Sequence, residues 1–235
     1  MAYLTAPNGT PLATDEEGYI KVHFIEPLPR IINQDGAVVR YDAGWIDSDR
    51  ASILLDELKT YEPHAENAEG WIHGKYFVSE RRTLQIADPG VRAYKFTGST
   101  ATEPEPFSNY PIISGLRDEI FTRLGVRCNF CLYNAYTPDA KLGWHSDSEE
   151  DMVPGSVIVS LSFGDVRRFR IRHKSTKKIT DIYLNPGSIL TMERKCQQVM
   201  DHCVWDINQK EMANIVHSLR INLTFRKMRP SDREN

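Results

Sequence analysis

His145-Ser146-Asp147, followed 55 residues later by His202, puts two imidazoles and one carboxylate within reach of one ion. Such a set on one face of a metal leaves the opposite coordination positions open, the arrangement used by non-haem Fe(II) oxygenases. Open positions admit a co-substrate and O2, so the pattern points to oxygen chemistry. His145 and Asp147 are two residues apart, and in an extended segment their side chains point the same way. His202 lies in the strand-like run VMDHCVWD, from which a sheet can bring a third ligand beside the first two.

A second polar set closes the chain. In Arg220-Ile221-Asn222-Leu223-Thr224-Phe225-Arg226 the alternation puts Ile221, Leu223 and Phe225 on one face and Arg220, Asn222, Thr224 and Arg226 on the other. Two Arg on the inner polar face of a sheet cost heavily unless they meet anions. A dicarboxylate would satisfy them, because the planar guanidinium fork binds a carboxylate through two parallel hydrogen bonds. Upstream, Asn134 and Tyr136 share a strand face by period two and are placed to orient the same co-substrate.

In order along the chain stand N-x-Y, eight residues, H-x-D, P-G-S, a basic R-x-R-H-K run, G-S-I-L, a late His and R-x-N-L-T-F-R. From about Ser79 to Met228 this order resembles the AlkB family of Fe(II)/2-oxoglutarate dioxygenases, which act on nucleic acids. The resemblance implies His145, Asp147 and His202 as iron ligands, with 2-oxoglutarate and O2 as co-substrates. It implies Asn134, Tyr136, Asn222, Arg220 and Arg226 at the 2-oxoglutarate site, Arg220 on the distal carboxylate. Arg226 would sit nearer the metal and hydrogen-bond toward Asp147.

Substrate recognition in that family lies in a lid before the barrel, here matched by residues 79–98 and most closely from Arg81 to Gly98. Within it, Tyr94 and Phe96 align with aromatic base contacts, one inserted residue apart from the family pattern between Gly90 and Tyr94. Alternating aromatics on a strand also suit an ordinary core. Glu149 aligns with an acidic residue that contacts the alkylated base, although it belongs equally to the acidic run Asp147 to Asp151. The stretch Arg167 to Lys174 concentrates positive charge in a chain of net charge -3. Alternation puts Arg168, Arg170 and Arg172 on one side and Phe169 and Ile171 on the other, either a phosphate-binding strip with Arg168 and Arg170 as substrate contacts or a solvated hairpin.

The elements that must position these residues follow from pattern. Asp47 and Ser48 can cap a helix carrying Ala51, Leu54, Leu55 and Leu58, and a second helix after Pro111 carries Ile112, Leu116, Ile120 and Leu124. Successive strands are expected at Val157–Phe163, Arg168–His173, Ile179–Tyr183, Ser188–Met192 and Leu219–Arg226. The expected fold is α+β: a double-stranded β-helix, or jelly roll, over about 127–228, preceded by the helices and the lid. Residues 1–40 read as an irregular arm ending in a small hairpin, and 229–235 as a disordered tail.

With 40% hydrophobic and 26% charged residues in 235, one domain with a full core accounts for the rest, 41–228. No run of 18 apolar residues and no basic-then-apolar leader is present, so a soluble intracellular monomer without membrane contact is expected. Cys128, Cys131, Cys196 and Cys203 suit a reducing compartment. A zinc role for Cys128-Asn129-Phe130-Cys131 is rejected, because a spacing of three in a strand sends the thiols to opposite faces and no second C-x-x-C exists.

The implied reaction is oxidative N-dealkylation of bases of the 1-methyladenine and 3-methylcytosine type in DNA or RNA. Decarboxylation of 2-oxoglutarate to succinate and CO2 would supply the oxidant, and the hydroxylated methyl group would leave as formaldehyde. Two other readings keep the fold: an oxygenase acting on a protein or small molecule, and a silent nucleic-acid-binding module. The intact ligand set weighs against the second.

Overall fold

The computed structural model describes residues 24–72, 74–93, 102–147, 151–205 and 218–230. Its strands are β1 (Arg30–Gln34), β2 (Ala37–Asp42), β3 (Glu66–Ile72), β4 (Lys75–Ala87) and β5 (Glu105–Pro106). They continue with β6 (Phe130–Tyr136), β7 (Leu142–His145), β8 (Ile158–Gly164), β9 (Arg167–His173), β10 (Ile179–Leu184), β11 (Ile189–Arg194), β12 (Met200–Trp205) and β13 (Arg220–Arg226). Helices α1 (Ser48–Lys59) and α2 (Pro111–Leu124) precede β6, and a short α3 (Cys196–Val199) leads into β12. The five strands read from the sequence all form, with ends within one or two residues of expectation.

Two sheets face each other, as a jelly roll requires. The larger runs β1-β2-β11-β8-β13-β6-β4-β3 with β5 against β4, and the smaller runs β10-β9-β12-β7. β13 lies at the centre of the large sheet, antiparallel to both β6 and β8, and all seven of its residues are buried. Ile221, Leu223 and Phe225 pack on the helix side against Leu58, Ile113, Leu116, Ile120 and Leu124. The opposite face carries Arg220, Asn222, Thr224 and Arg226 toward the small sheet, as the alternation predicts.

Asp47 caps α1 by accepting a hydrogen bond from the Arg50 backbone N–H at 2.9 Å. In α2 the buried stripe is Ile113, Leu116, Ile120 and Leu124, so Ile113 replaces the expected Ile112, which is only partly buried. Each such aliphatic side chain contributes roughly 1.5–3 kcal/mol by leaving water. Gly125, at φ 71°, ends the helix in the left-handed conformation that glycine adopts without strain.

Three expected boundaries move. The hairpin β1–β2 turns at Asp35 and Gly36, both at positive φ, but it is no separate arm: β2 pairs with β11 from Ala37 to Asp42 and extends the large sheet. Buried Ala37, Val38 and Val39 make it a covered strand. Residues 81–87, assigned to the lid, pair with β6 along its whole length. Leu84 and Ile86 there join the helix-side core, so this stretch is sheet rather than lid. At the C-terminus, Arg229 N–H donates to the Asp151 carbonyl at 2.7 Å and Pro230 bridges to Val91, so order continues past 228.

Cys128 precedes β6 rather than lying in it, so strand alternation does not apply to it. Cys128 and Cys131 share the helix-side core, correcting the expectation that they face apart. Burial pushes the Cys128 thiol up to about 12, and both cysteines pack as small apolar groups.

Gly187, at φ 79°, turns the chain between β10 and β11 and holds Ile46 N–H through its carbonyl at 3.0 Å. A Cβ there would run into the Ile46 carbonyl oxygen. Gly187→Ala is expected to cost about 2 kcal/mol or more, combining left-handed strain with backbone displacement. A thermal melt should fall by roughly 4–8 °C; an unchanged melt would show that the turn relaxes freely.

Candidate active site

The two sheets enclose a cavity of about 480 Å³, open at one side. His145, Asp147, His202, Asn134, Tyr136, Asn222, Arg220 and Arg226 all line it, so residues spread from Asn134 to Arg226 meet around one space. Antiparallel pairing of β7 with β12 sets His145 directly opposite His202, with ring centroids 4.2 Å apart. That register delivers the distant third ligand. β7 ends at His145, and Asp147 reaches in from the following loop.

Asp147 Oδ1 lies 3.6 Å from His145 Nε2 and 4.0 Å from His202 Nε2. Among the described residues this trio is the group whose ligand atoms converge, all within 4.8 Å of one another. The His145 Nδ1–H donates to the Gly143 carbonyl at 2.8 Å, which leaves Nε2 with its lone pair facing the site. Burial, aided by His145, pushes His202 down to about 3, so its imidazole is neutral and ready to ligate. Burial alone would raise the Asp147 carboxyl, but Arg226, His202 and His145 outweigh it and hold the group well below the usual carboxylate range. Arg226 Nη2 reaches Asp147 Oδ2 at 2.8 Å. One carboxylate oxygen therefore faces the imidazoles and the other faces the guanidinium. Two imidazoles and one fixed anion suit a divalent first-row transition metal.

At the other end of the polar face stands Arg220, six residues of strand and about 20 Å from the Arg226 backbone. It is 1% exposed. Nη2 donates to Ser162 Oγ at 3.1 Å, while Nε and Nη1 are buried without a hydrogen-bond partner. Burial lowers the group to about 10, so it remains charged at neutral pH. Tyr136 lies beside it, with the guanidinium 4.9 Å from the ring centroid. A buried cation with unused donors in a cavity is the complement of a carboxylate. The space between Arg220 and the His-Asp-His trio is thus lined for a ligand that carries a carboxylate.

Asn222 lines the cavity as part of a hydrogen-bonded set. Its Nδ2 donates to Ser160 Oγ at 2.8 Å and to the Leu161 carbonyl at 2.9 Å, and its Oδ1 accepts from Asn134 at 3.2 Å and Thr224 at 2.9 Å. These bonds tie it to Asn134, so the two amides stand together on the cavity wall.

The substrate expectations divide. Tyr94, Phe96 and Glu149 lie outside the described residues. Arg168, Arg170 and Arg172 share one face of β9, as the alternation predicts, but that face turns away from the cavity, which Phe169 lines instead. Arg170 pairs with Asp181 at 2.9 Å and Arg172 with Asp201 at 2.9 Å, both across neighbouring strands. The structure does not bring Arg168 or Arg170 to the site. What it brings instead is the β3–β4 hairpin: Phe77, Ser79 and Arg81 line the cavity beside Trp144. Only the register of β4 on β6, which sets Arg81 beside Tyr136, reveals Arg81 as part of the site.

The 2OG-Fe(II) oxygenase superfamily model matches residues 40–226. The "DNA oxidative demethylase ALKBH2" of Homo sapiens is 31% identical over 217 residues, covering 88% of this chain and 79% of that protein. The chain belongs to the AlkB family of Fe(II)/2-oxoglutarate dioxygenases. The same-named protein of Mus musculus is 32% identical over 169 residues, 68% of this chain and 66% of its own length, just under two thirds. In fold, the AlkB-family chain resembles the solved structure of OsALKBH1, with TM-score 0.52 at 20% identity, covering 84% of this chain and 100% of that one. As an AlkB-family dioxygenase it uses Fe(II), 2-oxoglutarate and O2. Among its described residues no helix is long and apolar enough to cross a membrane.

Proposed function

We propose that this AlkB-family enzyme removes N-linked methyl groups from nucleic-acid bases, of the 1-methyladenine and 3-methylcytosine type. The observation that carries the reading is the hairpin beside the cavity mouth. Its inner strand lines the cavity with Phe77, Ser79 and Arg81, while Trp71 (64% exposed) and Tyr76 (52% exposed) meet edge to face at 5.5 Å on its surface. Exposed aromatic faces beside a deep cavity with a few convergent polar groups suit a base withdrawn from its stack, and weakened pairing at a methylated base lowers the cost of withdrawal. The names of the ALKBH2 relatives point the same way.

In this reading His145, Asp147 and His202 ligate iron, Arg226 orients Asp147, and Arg220 with Tyr136 and Asn134 holds 2-oxoglutarate. Bound Fe(II) supplies the redox chemistry that couples 2-oxoglutarate decarboxylation to methyl hydroxylation. One atom of O2 enters succinate and the other the methyl carbon; the C–N bond then breaks, giving formaldehyde and the unmodified base with its proton. The sheets exclude water around the site through Leu132, Phe169, Leu184 and Leu190. Tyr94, Phe96 and Glu149 remain candidates for base contact on sequence grounds.

The test is mass spectrometry of single-stranded DNA and RNA oligonucleotides carrying either lesion, incubated with protein, Fe(II), ascorbate and 2-oxoglutarate. Loss of the methyl mass, dependent on 2-oxoglutarate, is expected; intact lesions in every oligonucleotide would overturn the reading. Because base–aromatic stacking contributes about 1–3 kcal/mol, Trp71→Ala should raise KM for the methylated oligonucleotide by roughly tenfold. Its exposed position predicts an unchanged KM for 2-oxoglutarate, measured in parallel. Equal KM values for the oligonucleotide would remove the hairpin from substrate binding.

A further inference from the structure

Asp147 lies where the sheet no longer holds the backbone. β7 stops at His145, and its pairing with β12 is limited to His145–His202 and Leu142–Val204. Ser146 and Asp147 are instead gripped from the segment that leads into His202. The Asp147 backbone N–H donates to Gln197 Oε1 at 2.8 Å, and Ser146 Oγ donates to Asp201 Oδ1 at 3.3 Å.

Both gripping residues are themselves anchored by the basic run of β9 and the turn after it. Lys174 Nζ donates to the Gln197 carbonyl at 2.9 Å, and Gln197 Nε2 points to Met192 Sδ at 3.3 Å. Arg172 Nη2 donates to Asp201 Oδ2 at 2.9 Å, with Lys174 Nζ 3.8 Å from Oδ1. Arg172 in turn covers the Trp144 ring at 4.2 Å, one residue before His145. Of these contacts, the Ser146–Asp201 hydrogen bond joins the loop that carries Asp147 to the strand that carries His202.

We propose that Gln197 and Asp201 are positioning residues that fix the Ser146–Asp147 loop for metal binding, and that Arg172 and Lys174 serve this bracket. The proposal rests on the reading of Asp147 as a metal ligand. It gives part of the basic run a role inside the protein: these cations hold the acid and the amide that hold the ligand loop. Partners of ligand groups elsewhere typically change metal affinity by about 10–100-fold.

Metal-free full-length protein is titrated with Co(II), following the visible absorption of the bound ion, for the parent, Gln197→Leu, Gln197→Glu and Ser146→Ala. Leucine removes the acceptor at similar size, whereas glutamate keeps it. Gln197→Leu is expected to weaken Co(II) binding roughly tenfold or more, with Gln197→Glu retaining the parental constant. A purely packing role would lower the melting temperature without separating Leu from Glu in Co(II) affinity. Ser146→Ala, which deletes one hydroxyl, should weaken binding by about fivefold, as one lost hydrogen bond of roughly 1 kcal/mol allows, and it carries the test if Gln197→Leu does not fold. Parental affinity in both Gln197→Leu and Ser146→Ala would overturn the proposal, as would equal loss in the Leu and Glu variants. A parent that binds no Co(II) would overturn the ligand reading beneath it.

Discussion

Asp147→Ala is expected to abolish 2-oxoglutarate turnover, by about a thousandfold or more, equivalent to roughly 4 kcal/mol. The substitution removes the one anionic ligand atom facing the two imidazoles and leaves Arg226, 3% exposed, without its 2.8 Å partner. Removing one partner of a buried ion pair costs about 3–5 kcal/mol, so the melting temperature should fall as well. Asp147→Asn separates the two effects. It keeps the shape and an acceptor for Arg226 while losing the charge, so it should melt closer to the parent yet still fail to turn over. Succinate formation and thermal melts measured side by side check both; a turning-over Asp147→Ala protein would refute the metal assignment.

Arg220→Met is expected to act in opposite directions on stability and on co-substrate binding. Without 2-oxoglutarate, Nε and Nη1 of Arg220 are buried donors with no partner, and a hydrophobic residue of similar length relieves that cost. The ligand-free variant should therefore melt at or above the parental temperature. With 2-oxoglutarate it loses a bidentate charge-assisted contact, at about 1.5–3 kcal/mol per hydrogen bond, so KM should rise roughly a hundredfold or more. Arg220→Lys keeps the charge but not the planar fork and should fall between the two. A destabilised Arg220→Met protein with parental KM would mean that Arg220 is structural. Active sites commonly hold such stored cost, which binding of the ligand relieves.

The sequence carried the inner face of β13 almost completely, because period-two alternation in a central strand fixes which side every residue takes. It carried the same-face relation of His145 and Asp147 by spacing alone, although Asp147 proved to sit just past the strand end. His202 was legible as a residue type in a strand-like run, but its place opposite His145 depends on β12 pairing with β7, and no local pattern states a partner strand. The same limit hid Arg81 and let residues 81–87 pass for a lid. Spacing placed Asn222 on the cavity face but could not show that its hydrogen bonds run to Ser160, Leu161, Asn134 and Thr224. Arg170 and Arg172 looked like a phosphate strip because their neutralising acids, Asp181 and Asp201, are distant in sequence and adjacent only across strands. Gln197 gave no signal at all: a four-residue helix has no periodicity to read.

If one cavity couples 2-oxoglutarate decarboxylation to demethylation of a base, the two products must rise together. Initial rates of succinate formation, with Fe(II) and ascorbate present, should be compared with no oligonucleotide, an unmethylated oligonucleotide and its 1-methyladenine or 3-methylcytosine counterpart. A marked rise in succinate is expected only with a methylated strand, with formaldehyde released in equal amount. Succinate formation indifferent to every methylated oligonucleotide, or succinate without formaldehyde, would rule the coupling out.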